Sequence, residues 1–150
     1  MKEIRGDLIK LAEELKFDVI IHGCNCFQIM GAGIALQIKN KYPGAFYADV
    51  KNTTHGDKEK LGSYTSFETP KGFTIVNAYT QYHYRGPNNV DYDAIEKVFT
   101  KIKKDFHGER IGYPKIGAGL AGGSWWRISR IIDRQLDGED HTLVIWEAQI

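Results

Sequence analysis

The chain has 150 residues, of which 42% are hydrophobic and 26% are charged, and its formal net charge is +1. A chain of this length fits one domain that buries roughly 70% of its unfolded surface, so it needs no disulfide or metal for stability. The small net charge excludes a bulk field and argues against a nucleic-acid partner. Apolar stretches are short and residues 1–5 lack a signal-peptide core, so we expect a cytoplasmic protein without membrane contact.

The chain contains two cysteines, Cys24 and Cys26, which are separated by a single residue. This spacing suits neither a redox CxxC pair nor a four-ligand zinc site, and no second Cys/His cluster completes one. We therefore expect reduced thiols that line a loop, with no metal and no cofactor.

Strand and helix signals alternate along the first half of the chain. A capping Asp7 precedes apolar residues at helical spacing (Leu8, Leu11, Ala12 and Leu15), and Pro43 both stops one helix and can start the next. The predicted elements are a strand over 2–5, a helix after Asp7, a buried strand over 17–21, a helix over 34–42, a short helix from Pro43 through Val50, and a polar loop over 51–60.

The second half contains a hairpin followed by a helix, a strand, a helix and a strand. The predicted elements are paired strands over 61–68 and 73–80, a helix from Asp91 or Asp93 to Gly108, a strand over 110–113, a helix from Ser124 to about Leu136, and a strand over 142–146. Such alternation predicts an α/β fold, with a mixed central sheet of about six strands and helices on both faces, as a single domain over 1–150.

Two glycine-rich loops are the most informative segments. The first glycine loop (22–35) contains Gly23, Gly31 and Gly33, and the second glycine loop (114–123) contains the run from Gly117 to Gly123. Each follows a strand signal and precedes a helix signal, an arrangement in which backbone N–H groups hold an anion. Since ligands bind beyond the carboxyl ends of such strands, we expect the loops to share one cleft that fits a diphosphate.

Two common nucleotide motifs do not fit the second glycine loop. Gly117 to Gly122 matches G-x-G-x-x-G, and Asp137 lies twenty residues further on. A Rossmann site, however, needs that acid at the end of the next strand with several strands still to come, whereas Asp137 ends a helix. A P-loop needs a lysine after the glycines, and Gly123 is followed by Ser124.

Several segments, taken in order, resemble the landmarks of a macro domain over nearly the whole chain. They are Arg5-Gly6-Asp7-Leu8, Asp18-Val19-Ile20-Ile21-His22-Gly23-Cys24-Asn25, Met30-Gly31-Ala32-Gly33-Ile34-Ala35, Ile116-Gly117-Ala118-Gly119-Leu120 and Leu143-Val144-Ile145-Trp146. The resemblance implies a three-layer α/β/α fold. It is greatest to the branch that contains ADP-ribose 1''-phosphate phosphatases and the terminal ADP-ribose glycohydrolase of modified glutamate.

The resemblance implies ADP-ribose or ADP-ribose 1''-phosphate as the ligand. Asp7 corresponds to the acid that accepts from the adenine amino group, with Leu8 beside it, and Trp146 to an aromatic residue that flanks adenine. Asp7 could instead serve only as a helix cap, and Trp146 could be a core residue.

Asn25 corresponds to the asparagine that holds the distal ribose, although it could instead only brace its own loop. The glycine loops would lie against the distal ribose and the diphosphate. The remaining ligand-binding residues implied in this way are Cys24, Gly31, Ala32, Gly33, Ile34, Ile116, Gly117, Ala118, Gly119, Leu120 and Ala121.

His22 bears most directly on the chemistry. A histidine near the distal phosphate could act as acid, base or nucleophile, whereas a buried histidine bonded to the backbone would do none of these. With Asn25 orienting the ribose, the resemblance implies a metal-independent phosphatase that converts ADP-ribose 1''-phosphate to ADP-ribose.

Two departures from the family pattern leave alternatives open. The glutamate-deconjugating member uses a lysine that aligns with Lys39 and an aspartate where this chain has Ala121, and phosphatase-like relatives often have an aspartate where this chain has Ser124. An ADP-ribosyl hydrolase and a non-catalytic reader of ADP-ribose therefore remain alternatives. The aromatic and basic segment Tyr82–Arg85 could cover a ligand, touch RNA or be a solvated loop.

Overall fold

A computed structural model describes residues 1–148 of the chain. The elements in chain order are β1 (Lys2–Gly6), α1 (Leu8–Glu13), β2 (Val19–Cys24), α2 (Gly33–Lys41), α3 (Pro43–Asn52), a 3₁₀ turn (Lys58–Lys60), β3 (Tyr64–Glu68), β4 (Thr74–Tyr79), α4 (Tyr92–Asp105), β5 (Arg110–Tyr113), α5 (Trp125–Gln135) and β6 (Asp140–Trp146). In this part of the chain, no helix is long and apolar enough to cross a membrane.

The six strands form one mixed sheet in the order β1-β6-β5-β2-β4-β3. All neighbours pair in parallel except β3, which pairs with β4 as the predicted antiparallel hairpin. The carboxyl ends of β2 and β5, from which the two glycine loops leave, therefore meet at the same edge of the sheet.

Helices cover both faces, so the predicted three-layer α/β/α fold is confirmed. Residues of α4 and α5 pack on one face with Val19 and Ile21, and residues of α1, α2 and α3 pack on the other with Ile20. Because side chains alternate along a strand, His22 projects to the same face as Ile20, beneath α3. His22 therefore contacts the residues that lie between the sheet and these helices.

The predicted helix starts are confirmed at the three capping residues. Asp7 accepts hydrogen bonds from the N–H groups of Ile9 and Lys10, Asp91 accepts from Ala94, and Ser124 accepts from Arg127. Pro43 is the first residue of α3, where its missing N–H costs nothing.

The predicted apolar face of the first helix is wrong at one position. Leu15 lies beyond α1 with φ of 60° and is exposed, because the helix ends before its turn would reach the core. Ile9 is buried on that face instead.

Candidate functional site

A cleft of about 470 Å³ lies between the two glycine loops at the carboxyl edge of the sheet. Its floor includes Gly23 at the end of β2, where a Cβ atom would lie 2.8 Å from Thr80 Oγ1 and 3.2 Å from Ile116 Cγ2. Only glycine allows the backbone to approach this closely. The cleft is lined by Gly23, Cys24, Asn25, Ile29, Gly31, Ala32, Gly33, Ile34, Ala35, Gln81, Tyr84, Pro114, Lys115, Ile116, Gly117, Gly119, Leu120 and Ala121.

The first glycine loop is held in shape by the side chain of Asn25. Its Oδ1 accepts from the N–H of Phe27 at 2.9 Å, and its Nδ2 donates to the carbonyl of Ile29 at 2.8 Å. Asn25 thus braces its own loop and also lines the cleft, and its contact with the distal ribose stays a prediction.

The second glycine loop is held by its own backbone. Gly122 N–H donates to Gly119 O at 3.1 Å, and Gly123 N–H donates to Gly117 O at 2.7 Å. Gly117 and Gly122 both have φ of 74°, a left-handed conformation that favours glycine. A Cβ atom on Gly117 would also lie 2.7 Å from Val90 Cγ2, so glycine is required there.

In the described part of the chain, residues with unpaired backbone N–H groups line the cleft from both loops. The N-terminus of α2 opens after Ala32 without any side-chain cap, whereas α1, α4 and α5 are capped by Asp or Ser. Among residues 1–148, the N–H groups of Gly119, Leu120 and Ala121 donate to no protein acceptor. A helix N-terminus that faces bare N–H groups is a site for an anion, and the cleft holds space for more than one phosphate.

A smaller pocket of about 260 Å³ continues the cleft toward β1 and β6. It shares Gly33, Ile34 and Pro114 with the main cleft and is closed by Asp7, Leu8 and Trp146 among others. Asp7 caps α1 through Oδ1 at 3.1 and 3.2 Å. Trp146 is 66% exposed, so it is a wall of this pocket and not a core residue.

Comparisons with known proteins agree with this architecture. The chain is 37% identical to an uncharacterised 17.5 kDa protein of Enterobacteria phage T4, over 98% of this chain and 97% of that protein. It superposes on the macrodomain of Thermus aquaticus DarG with a TM-score of 0.74 and 23% identity, over 98% of this chain and 97% of the other. No family model matches the sequence.

The chain is a macrodomain. It is also 30% identical to the DNA ADP-ribosyl glycohydrolase of Mycobacterium tuberculosis over 80% of its residues, but it spans only 34% of that enzyme. A match of 44% identity to the ADP-ribose 1''-phosphate phosphatase of Aspergillus oryzae covers 46 residues, which are 31% of this chain and 21% of that enzyme.

His22 does not lie where the sequence analysis placed it. In this macrodomain, the side chain of His22 is fully buried beneath α3, and its Nε2 lies 2.6 Å from Asn77 Oδ1. Burial lowers the pKa of His22 to about 4, so its imidazole is neutral near pH 7. The expectation of a histidine beside the distal phosphate is corrected, because the ring is fully buried and does not line the cleft.

His22 belongs to a buried polar network on the far side of β2. Asn77 Nδ2 donates to Thr65 Oγ1 at 3.0 Å, which lies 2.7 Å from the hydroxyl of Tyr79. That hydroxyl donates to Asp49 Oδ1 at 2.6 Å, and the ammonium of Lys60 lies 3.2 Å from the same oxygen. We call this set, His22, Asp49, Lys60, Thr65, Asn77 and Tyr79, the buried network.

Three other predicted site residues have distinct positions. Cys24 lines the cleft but is buried, with Sγ 3.5 Å from Nε2 of His22, and burial raises the pKa of its thiol. Ala118 packs against the core and does not line the cleft, which corrects its predicted ligand contact. Leu120 is 77% exposed at the tip of the second glycine loop.

Sequence reasoning did not assign Lys115 or Gln81 to the cleft, which both residues line, whereas Tyr84 belongs to the segment that was predicted as a possible cover for a ligand. Lys115 lies two residues before Gly117 in the second glycine loop and is the charged residue in the lining, so its place in the motif could have identified it. Gln81 could not be identified in this way, because it reaches the cleft from the segment after β4.

Proposed function

We propose that this macrodomain binds ADP-ribose and hydrolyses the bond between its distal ribose and an attached group. One observation supports this most directly: the adenine-sized pocket at Asp7 and Trp146 is continuous with the glycine-lined cleft through Gly33 and Ile34. A single extended ligand with a base at one end and a diphosphate in the middle fits this shape.

The backbone supplies the charge complement to the diphosphate. The uncapped N-terminus of α2 and residues 119–121 of the second glycine loop both line the cleft, and a helix N-terminus carries about half a positive charge. The ammonium of Lys115 adds a cation to the lining. The distal ribose then lies near Asn25, at the end bounded by Gln81 and Tyr84.

Lys39 is the candidate nucleophile that the family resemblance supplies. It lies one helical turn after Ala35, which lines the cleft, and helical side chains project toward the N-terminus. Its ammonium lies 4.3 Å from the ring centroid of Phe46, which packs beside Ala35. The neutral amine would attack C1'' as the bond between C1'' and the attached group breaks, and a proton of the amine would pass to the departing group. Water would then displace the lysine nitrogen from C1'' and release ADP-ribose.

A second candidate is the phosphatase predicted from the sequence. The 46-residue match to the fungal ADP-ribose 1''-phosphate phosphatase favours it. The burial of His22 weighs against it, since no other histidine or carboxylate of the described chain lines the main cleft. The loop N–H groups could still stabilise charge on a departing phosphate.

The two candidates and the non-catalytic reader are separated by one substrate panel. Three substrates are incubated with wild type and Lys39→Ala: ADP-ribosylated DNA, chosen because the mycobacterial relative is named a DNA ADP-ribosyl glycohydrolase, ADP-ribose 1''-phosphate, and a glutamate-linked ADP-ribosyl peptide. Release of ADP-ribose is quantified by mass spectrometry. Release from DNA that Lys39→Ala abolishes supports the proposal. Phosphate release unaffected by Lys39→Ala supports the phosphatase, and ADP-ribose binding without turnover supports the reader.

A binding measurement tests the ligand itself. Titration calorimetry with ADP-ribose, AMP and ribose 5-phosphate should give the tightest binding for ADP-ribose, because it alone spans both pockets. Lys16, exposed in the turn before β2 at the opposite edge of the sheet, supplies the matched control Lys16→Ala, which should bind as wild type. Absence of ADP-ribose binding would overturn the proposal.

A further inference from the structure

Gln81 lines the distal end of the cleft, and two other segments of the chain hold its backbone there. Its carbonyl oxygen accepts from Sγ of Cys26 at 3.6 Å, which joins it to the first glycine loop. It also forms an isolated antiparallel bridge with Val90, in the segment before α4. These contacts fix the position from which the side chain of Gln81 leaves the backbone.

The side-chain amide of Gln81 has an engaged nitrogen and an unpaired oxygen. Its Nε2 donates to the carbonyl oxygen of His83 at 2.9 Å, and since a carbonyl only accepts, this bond fixes which end of the amide is the nitrogen. In the described part of the chain, Oε1 accepts from no protein donor. Within residues 1–148, Thr80 Oγ1 is the buried side-chain polar atom without a partner, so the unpaired Oε1 of Gln81 is accessible to solvent.

The other polar side chains that line the cleft are poorer acceptors for a water molecule. Lys115 only donates, and the thiol of Cys24 is a weak acceptor. The amide oxygen of Asn25 already accepts from two backbone N–H groups of its own loop, at 2.9 and 3.5 Å. No carboxylate is found among the described residues of the lining. Oε1 of Gln81 is therefore the strongest unengaged side-chain acceptor there, with the phenol oxygen of Tyr84 as its competitor.

We propose that Gln81 orients the water that completes hydrolysis at C1'', an inference that rests on the proposed function. Oε1 accepts one hydrogen of this water and holds the water oxygen toward C1''. A glutamine amide can orient an attacking water in this way without acting as a base. The bond from Nε2 to His83 holds the amide in the required orientation before the water arrives.

The water can react without a separate base, because the departing nitrogen takes its proton. Before this step, C1'' is bonded to the secondary amine that Lys39 has become. As the water oxygen bonds to C1'', the bond between C1'' and Nζ breaks and its electron pair stays on the nitrogen. One water proton passes to that nitrogen and restores the primary amine, while the hydrogen held by Gln81 remains on the new hydroxyl group. Orientation of the water therefore suffices in a chain that has Ala121 where the glutamate-deconjugating family member has its aspartate.

The first experiment separates the two steps of turnover. Wild type and Gln81→Leu are mixed with ADP-ribosylated DNA and quenched in guanidinium chloride at successive times, and the intact proteins and released ADP-ribose are measured by mass spectrometry. Without an oriented water, Gln81→Leu should release ADP-ribose about ten to a hundred times more slowly. It should also accumulate more protein with ADP-ribose attached than wild type does. The adduct should be lost when Gln81→Leu is combined with Lys39→Ala, and the matched control Lys16→Ala should behave as wild type.

The second experiment separates the acceptor from the hydrogen bond to His83. Both Gln81→Leu and Gln81→Glu lose the donor to His83, but Gln81→Glu keeps an acceptor oxygen. Gln81→Glu should therefore retain most of the wild-type turnover and accumulate no adduct. Calorimetry with ADP-ribose checks that Gln81→Leu is folded, and its loss of affinity should be smaller than its loss in kcat.

Three results would overturn the role of Gln81 and leave the proposed function standing. Gln81→Leu could release ADP-ribose at the wild-type rate. Gln81→Leu and Gln81→Glu could lose turnover equally, which would assign the effect to the bond with His83. Tyr84→Phe could accumulate the adduct while Gln81→Leu does not, which would assign the water to the phenol oxygen. If wild type binds ADP-ribose but releases none from any substrate, the proposed hydrolysis is wrong and the role of Gln81 is wrong with it.

Discussion

The buried network and the cleft are neighbouring regions at the end of β2, and they differ in the kind of polar group that they contain. The buried network is rich in titratable side chains, and its Lys60 and Asp49 side chains are only 4% and 1% exposed. The cleft is lined largely by glycine, alanine and isoleucine, and its polar groups are mostly backbone N–H groups. The titratable side chains of the buried network are thus enclosed, whereas Cys24 and Lys115 are the titratable residues among those that line the cleft besides Tyr84.

This difference shows how the two regions divide stability and recognition. A buried ion pair with satisfied hydrogen bonds fixes α3 and the 3₁₀ turn onto the sheet, because an unpaired buried charge is strongly unfavourable. A cleft of backbone donors binds an anion without a titrating group. We therefore expect changes in the buried network to affect stability and changes in the cleft to affect binding.

The largest expected effect follows removal of the cation from the buried network. Lys60→Met leaves Asp49 buried with only Tyr79 and Thr53 as partners, so the free energy of unfolding should fall by about 3–5 kcal/mol. Urea denaturation followed by circular dichroism measures this. Calorimetry on the folded protein should show unchanged ADP-ribose affinity.

The matched control removes both charges. Asp49→Asn combined with Lys60→Met should be more stable than Lys60→Met alone, because the remaining amide carries no charge. A double variant as unstable as the single one would show that packing of the Lys60 stem, and not its charge, holds this region.

Acid should destabilise the protein through His22. The pKa of this imidazole is about 4 in the folded state and near 6.5 when unfolded, so between these values the unfolded chain binds a proton that the folded chain does not. Stability should therefore fall as pH falls from 6.5 to 4, by on the order of 3 kcal/mol in total. Chemical denaturation across this range, compared with His22→Gln, isolates the contribution.

The pH dependence of turnover tests whether His22 belongs to the buried network or acts in the cleft. If His22 acts in the cleft, turnover should change with a pKa near neutrality that His22→Gln abolishes. With His22 buried, we expect no such step. Direct NMR titration of the His22 ring in wild type checks the low pKa even if His22→Gln does not fold.

A substitution in the second glycine loop should lower both the stability of the protein and its affinity for ADP-ribose. Gly117→Ala places alanine in a left-handed backbone conformation, which costs about 1–2 kcal/mol of conformational free energy. It also places the new Cβ atom against Val90. Distortion of the loop should weaken ADP-ribose binding by at least about tenfold, which is 1.4 kcal/mol. Gly108→Ala has a similar φ of 84° in open space beyond the end of α4, so it should destabilise the protein without weakening binding.

The sequence predicted the fold well because its signals are local. Capping residues such as Asp7 and Ser124, and proline at the start of α3, mark helix boundaries through contacts within a few residues. The glycine loops were likewise predicted, since their position after strand signals sets them at the carboxyl edge.

The buried network could not be predicted, because its contacts are distant in sequence. His22 lies within β2, a strand that is buried on both faces, so no alternation of polar and apolar residues shows which way its side chain points. Its partner Asn77 is 55 residues away. Lys60 lies in a charged stretch that predicts a solvated loop, and only the tertiary fold places it on Asp49.

The smallest effect tests whether Asp7 is only a cap. Wild type should bind ADP-ribose about tenfold more tightly than the hypoxanthine analogue, in which a carbonyl replaces the amino group that the Asp7 carboxylate would accept from. Asp7→Ser retains a side-chain oxygen that caps α1, so stability should change little. In that variant, calorimetry should find the two ligands bound equally.

Asp7→Ala separates the remaining possibility. It removes both the cap and the carboxylate, so it should lose about 1 kcal/mol of stability and also fail to discriminate between the two ligands. If Asp7→Ser still discriminates as wild type does, the carboxylate makes no contact with adenine, and Asp7 belongs with the residues that stabilise the fold. The division between stabilising side chains and a binding backbone would then extend to the adenine end of the cleft.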